Sequence, residues 1–178
     1  TRKLPFKCRL TIVKVRLLEV TNDDLPLIEQ WLRADHVRST WGDPDANVRL
    51  LRDSPADGHW RALIEVDGRK VGLVLWQHPT RQELDEAGLI DLPESVMDID
   101  IMIGERTEVG RGVGSTAIRL VAEAALSDPA VPFVIAATLL DNLASQRAFA
   151  KADFRNDREF DDVPSGRCVL MVRHRQET

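Results

Sequence analysis

The sequence predicts a mixed α/β fold built on one sheet, and three observations carry that prediction. Asp67-Gly68 separates two apolar runs, "HWRALIEV" and "RKVGLVLWQH", the two-residue signature of a type I′ hairpin. The segment "SVMDIDIMIG" alternates with a period of two, placing Ile99, Ile101 and Ile103 on one face and Asp98, Asp100 and Met102 on the other. After it, apolar residues at 113, 117, 118, 121, 122 and 125 form the single stripe of an amphipathic crossover helix. Hairpins need antiparallel neighbours and a crossover helix joins parallel ones, so the sheet is expected to contain both.

In chain order, residues 1–10 read as an N-terminal extension and 11–178 as a single domain. "TIVKVRLLEV" (11–20), with its β-branched residues and partial alternation, reads as the first strand. "TNDDLPLIEQWLR" reads as a helix: Thr21 or Asn22 caps it, acids fill its first turn, and Leu25, Ile28, Trp31 and Leu32 share a face. Short helices broken at Gly42-Asp43-Pro44 lead into the hairpin. An acidic connection then reaches the 97–104 strand, and the crossover helix follows. "PFVIAATLL" has the continuous apolar character of a buried strand. "DNLASQRAFAKA" is a helix capped by Asp141 or Asn142, and "DFRNDREF" with "GRCVLMVRHR" closes the chain as a hairpin. The order is one strand, helices, three strands, helix, strand, helix and two strands.

Composition narrows the function classes. A net charge of −5 argues against binding nucleic acid, which needs a basic surface to release counterions, and favours a cationic partner. No run approaches the roughly 18 apolar residues that span a bilayer, so no membrane association and a cytoplasmic location are expected. Cys8 and Cys168 are far apart, and His36, His59, His78 and His174 are scattered, so no metal site is expected. Charge is uneven. Between Gln82 and Asp100 stand seven carboxylates (Glu83, Asp85, Glu86, Asp91, Glu94, Asp98 and Asp100) with no lysine or arginine. This segment is either a solvated acidic loop or a surface that attracts a polycation.

"VGRGVGSTA" (109–117) places Gly110, Gly112 and Gly114 at alternate positions just before the crossover helix. A glycine loop feeding a helix N-terminus is an anion site, because unpaired amides and the helix dipole point at one place and no Cβ blocks approach. Arg111, Ser115 and Thr116 offer further donors at its rim. The spacing GxGxG is neither the GxGxxG of dinucleotide folds nor a Walker loop, which needs Gly-Lys-Ser/Thr. Alone, the stretch is equally compatible with a tight turn.

With the strand before it and "DNLASQRAFAKADF" after it, the stretch resembles the GCN5-related N-acetyltransferase (GNAT) family, and most of the chain, about residues 15 to 175, shares the likeness. "LIEQWLRADHVRSTWG" resembles the helix-Trp-Gly segment of aminoglycoside 6′-N-acetyltransferases and of relatives that acylate siderophore lysine. The resemblance implies a strongly twisted mixed sheet of six to seven strands flanked by about four helices. It implies acetyl-CoA as co-substrate, contacted by Met102, Ile103, the loop residues Val109, Gly110, Arg111, Gly112, Val113, Gly114 and Ser115, and by Asn142 and Ser145. The acceptor is then a small amine, most simply a cationic one such as an aminoglycoside 6′-amine, and the protein a monomer or homodimer.

Acetyl transfer needs a neutral amine, a polarised thioester carbonyl and a tolerable thiolate. The resemblance implies Asp100 as the group that binds the ammonium and takes its proton, a backbone N–H near Met102 as the oxyanion donor, and Trp41 with Asp98 and Asp100 on the acceptor. Gln77 and His78 end a strand beside the acidic segment and are further acceptor candidates. Three positions depart from the family. Phe149 stands where many members carry the tyrosine that protonates the leaving sulfur, and the chain has no tyrosine. Val109 replaces the usual Gln or Arg, and Ala137 replaces an aspartate found in some aminoglycoside enzymes. A thiol with pKa about 8.5 leaves adequately as thiolate, so catalysis without an acid is feasible. The alternatives are a siderophore-lysine or protein N-terminal acyltransferase, and a CoA-binding module without catalysis.

Overall fold

The computed structural model describes residues 14–52, 58–163 and 165–176. The expected N-terminal extension and the first residues of the 11–20 strand lie outside them. The observed β1 is Val15–Glu19, followed by a 3₁₀ turn Asn22–Asp24 and the helices α1 (Leu25–Arg33), α2 (Asp35–Trp41) and α3 (Pro44–Arg52). Next come β2 (His59–Val66), β3 (Arg69–Gln77), α4 (Arg81–Glu86), β4 (Met97–Ile103), α5 (Val113–Ser127), β5 (Phe133–Leu139), α6 (Leu143–Lys151), β6 (Arg155–Asp162) and β7 (Gly166–His174).

The seven strands form one sheet in the order β1-β2-β3-β4-β5-β7-β6. The hairpin is as expected: Asp67 and Gly68 have φ of 50° and 78°, the paired positive values of a type I′ turn. The acidic connection is corrected. Part of it is the helix α4, opened by a capping box in which Thr80 and Glu83 satisfy each other's backbone N–H.

Strand alternation gives the sheet two different faces. Ile64, Val74, Ile99, Val134, Ala136 and Met171 pack with Ile118, Val121 and Ala122 of α5 and with Phe149 of α6. On the opposite face Leu63, Leu73 and Met102 pack under Ile28, Trp31 and Leu32 of α1. Farther along that face Ile135, Leu170 and Val172 pack under Leu84 of α4 and Leu89. Between these two covers the second face is left uncovered, and it is there that Asp98 and Asp100 lie. Among the described residues, no helix is long and apolar enough to cross a membrane.

Candidate active site

The site begins with a defect in the sheet. β4 and β5 are the parallel pair, yet they are matched only at Met97 with Val134 and Asp98 with Ile135. Beyond Asp98 the strands part, and a cleft of about 1080 Å³ opens between them, bordered by the α5 N-terminus on one side and by α2 and α4 on the other. Gly104 N donates to Val71 O, 2.8 Å. The alternation of an antiparallel ladder therefore aims the amides of Met102 and Asp100 at β3, and those of Ile101 and Ile103 at the open edge. Two side chains mark that edge: Trp41 Nε1 donates to Ile101 O at 3.3 Å, and His36 Nε2 lies 3.1 Å from Ile103 O. The open-edge amides nearest Met102 are therefore those of Ile101 and Ile103, while the Met102 side chain is buried under α1.

The glycine loop delivers α5 to the mouth of this cleft. Gly110 and Gly112 have φ of 79° and 84°, the left-handed region that glycine occupies without a Cβ penalty, and Gly112 is the N-cap. The first intrahelical bond is Thr116 N to Gly112 O, 3.1 Å, so the amides of the first turn point outward unpaired within the helix. A fifteen-residue helix places the positive end of its dipole at the same spot. The hydroxyls expected as rim donors are spent: Ser115 Oγ and Thr116 Oγ1 both donate to Gly112 O, at 3.0 and 2.9 Å. Arg111 turns to Glu108, 3.5 Å away, and Val113 is fully buried, so these two of the expected residues lie off the cleft wall. Glu108, 3% exposed and also paired with Arg69 at 3.0 Å, anchors the loop from beneath.

Asn142 caps α6, its Oδ1 accepting from Ser145 N at 3.1 Å, and both residues border the cleft. Arg106, Arg147 and Lys151 stand along the same border and add positive charge that sequence reasoning did not single out. Phe149 is buried against Phe154, with ring centres 5.1 Å apart.

The other mouth of the cleft is acidic. Asp98 and Asp100 project from one face of β4, and Glu83 joins them from α4. Asp98 Oδ1 is buried without a hydrogen-bond partner, and burial, then the charges of Asp100 and Glu83, raise its pKa well above the carboxylate range. Asp100 is open to water along the cleft but walled by protein elsewhere, and the reduced hydration pushes its pKa up to about 6. The acidic segment divides between surface ion pairs and the cleft. Asp85 pairs with Arg81 at 2.8 Å and Asp91 with Arg158 at 2.7 Å, while Glu83, Asp98 and Asp100 face the cleft. His78 is structural, with Nδ1 2.9 Å from Val96 O and the ring edge-on to Trp60; Gln77 borders the cleft.

The family model described as acetyltransferase (GNAT) domain matches residues 20–162. The chain belongs to the GNAT family. It is an N-acetyltransferase with acetyl-CoA as donor, and the parted strands with an outward-facing helix N-terminus suit that donor, whose phosphates need amide dipoles rather than a fixed metal. Among curated relatives, the chain is 24% identical to aminoglycoside N(6′)-acetyltransferase type 1 of Klebsiella pneumoniae, covering 96% of this chain and 93% of that protein. It is 25% identical to the enzyme of the same name from Serratia marcescens, with the same coverage. The GNAT fold is also seen in the crystal structure of aminoglycoside acetyltransferase AAC(6′)-Ib in complex with coenzyme A, with TM-score 0.77, 24% identity, and coverage of 92% of this chain and 96% of that one. A complex of that enzyme with coenzyme A and kanamycin superposes with TM-score 0.76 at 23% identity, over the same shares of each chain.

Proposed function

We propose that this GNAT protein acetylates a primary amine of a small polycationic acceptor, with an aminoglycoside 6′-amine as the leading case. The observation that carries the reading is the pair Asp98 and Asp100, set on the uncovered face of the sheet at the point where β4 and β5 part. A donor laid across the α5 N-terminus brings its thioester into this gap from one face of the sheet, and the amine meets it from the other. Asp100 binds the ammonium and takes its proton. A pKa of about 6 leaves it ionised at neutral pH yet more basic than a surface carboxylate. The Ile103 or Ile101 amide polarises the carbonyl, since these are the N–H groups on the open edge. Trp41, held on that edge by its indole N–H, offers a flat ring for a sugar, Glu83 attracts a further ammonium group, and Asp98 beside it offers polar contacts to the acceptor. Kinship at 24–25% with curated aminoglycoside enzymes supports the same acceptor class.

The test is incubation with acetyl-CoA and a panel of aminoglycosides, linear polyamines, lysine derivatives and peptides, followed by thiol release and mapping of the product. Aminoglycosides acetylated at one amino group are expected. Turnover confined to lysine derivatives or peptide N-termini would replace the acceptor, and CoA binding without turnover of any amine would leave only a binding module.

A further inference from the structure

Phe149 leaves open how the departing thiolate is stabilised, and the structure contains an unassigned hydroxyl in the right wall. Thr138 is 4% exposed, and its Oγ1 is buried with no hydrogen-bond partner. A buried hydroxyl left unpaired costs stability, so a chain retains one where something else will meet it. Thr138 lies on β5 beyond the last β4–β5 pair, in the part of the strand that has separated from β4, and it borders the cleft. By alternation it shares its face with Val134 and Ala136, which pack beside Phe149 and the start of α5. The same wall therefore holds one aromatic ring without a donor and one donor without an acceptor.

We propose that the Thr138 hydroxyl donates a hydrogen bond to the CoA sulfur and stabilises it as the thiolate. Asp100 first takes the ammonium proton and passes it to the water of the cleft, to which it is open. The neutral amine nitrogen then bonds to the thioester carbonyl carbon, the carbon–sulfur bond breaks with its electron pair on sulfur, and the second nitrogen proton goes to the regenerated Asp100 carboxylate. Thr138 keeps its own proton throughout. Its pKa is far too high for it to act as an acid, and the thiolate is protonated by water once it leaves the cleft. A hydrogen bond to a charged acceptor in a water-poor site is the kind that favours departure. The inference depends on acetyl-CoA as donor and not on which amine is the acceptor.

The experiment reads the thiol directly. CoA bound to the wild-type protein and to Thr138→Val is titrated by thiolate absorbance, with Thr138→Ser as the conservative control. Valine keeps the shape and β-propensity of threonine while removing the hydroxyl. Asp98 and Asp100 on β4, Arg147 and Lys151 on α6 and Cys168 and Arg173 on β7 are the same in all three proteins, so the difference isolates Thr138. The bound thiol is expected to titrate about one to two pK units lower in the wild type and Thr138→Ser than in Thr138→Val, equivalent to a tenfold to hundredfold shift in favour of thiolate. Equal titration in wild type and Thr138→Val overturns the proposal. A wild-type measurement tests it without mutation: affinity for CoA relative to desulfo-CoA should rise with pH through the depressed thiol pKa. A ratio independent of pH would also overturn it.

Discussion

Asp98 is the residue at which sequence alternation and environment meet most sharply. Its folded pKa is raised well above the ordinary value by burial. Between the unfolded pKa near 4 and that raised value, the folded protein holds a proton that the unfolded chain has released, so stability falls as pH rises through this window and is greatest below it. Asp98→Asn removes the titrating group. The variant is expected to melt several degrees above the wild type at pH about 8 and to lose most of that advantage near pH about 4, read by thermal unfolding at both values. A variant less stable than the wild type at the higher pH would contradict the description of Asp98 as an unsatisfied buried acid. At this scale the sequence showed which residues share a face, because a period of two fixes that. It did not show where hydroxyls and amides would point. Ser115 and Thr116 looked like ligand donors and instead satisfy the Gly112 carbonyl. Met102 stood next to the open amides without being one of them, a one-residue offset that only the β3 register decides.

Among the elements, the loop and α5 were legible because glycine spacing and an apolar stripe are local signals. The three glycines nevertheless do different things. At Gly112, with φ of 84°, any side chain forces a left-handed conformation, at a cost of about 1–2 kcal/mol. A Cβ at Gly114 meets only ordinary contacts, with Ile101 and Ile103 at 3.8 to 3.9 Å, so the fold accepts one there. Gly114→Ala is therefore the cleaner probe of the cleft. Its melting temperature is expected to equal or exceed the wild-type value, since alanine favours a helix by about 1 kcal/mol, while CoA affinity falls at least tenfold in calorimetry. Unchanged affinity would mean that the first turn of α5 is not approached closely by the donor. The helix α4 was missed because seven carboxylates in one segment dominate its composition, although Thr80 and Glu83 stand at capping-box spacing and could have revealed it.

For the molecule as a whole, the order of strands matters more than their number. The seven strands and the mixed pairing follow from hairpin and crossover signals, but β7 lies between β5 and β6, an arrangement set by long-range contacts that no local pattern carries. The same holds for the opening between β4 and β5. Two residue pairs hold the strands together, and past Asp98 they diverge, which opens a passage from the covered face of the sheet to the uncovered part of the other. The α5 N-terminus, Arg106, Arg147 and Lys151 bring positive charge to that passage, and Glu83 and Asp100 bring negative charge. That polarity suits the anionic acetyl-CoA donor and the cationic acceptor proposed above.

In the proposed reaction Asp100 takes the acceptor's proton in this passage. The most direct test is the pH dependence of kcat/KM for wild type and Asp100→Asn with an amine that the wild type acetylates. The wild type should lose activity toward acid along a limb with pKa about 6, and the variant should be slower by about a hundredfold or more with that limb gone. An Asp100→Asn protein that works at the wild-type rate with the limb intact would contradict the account.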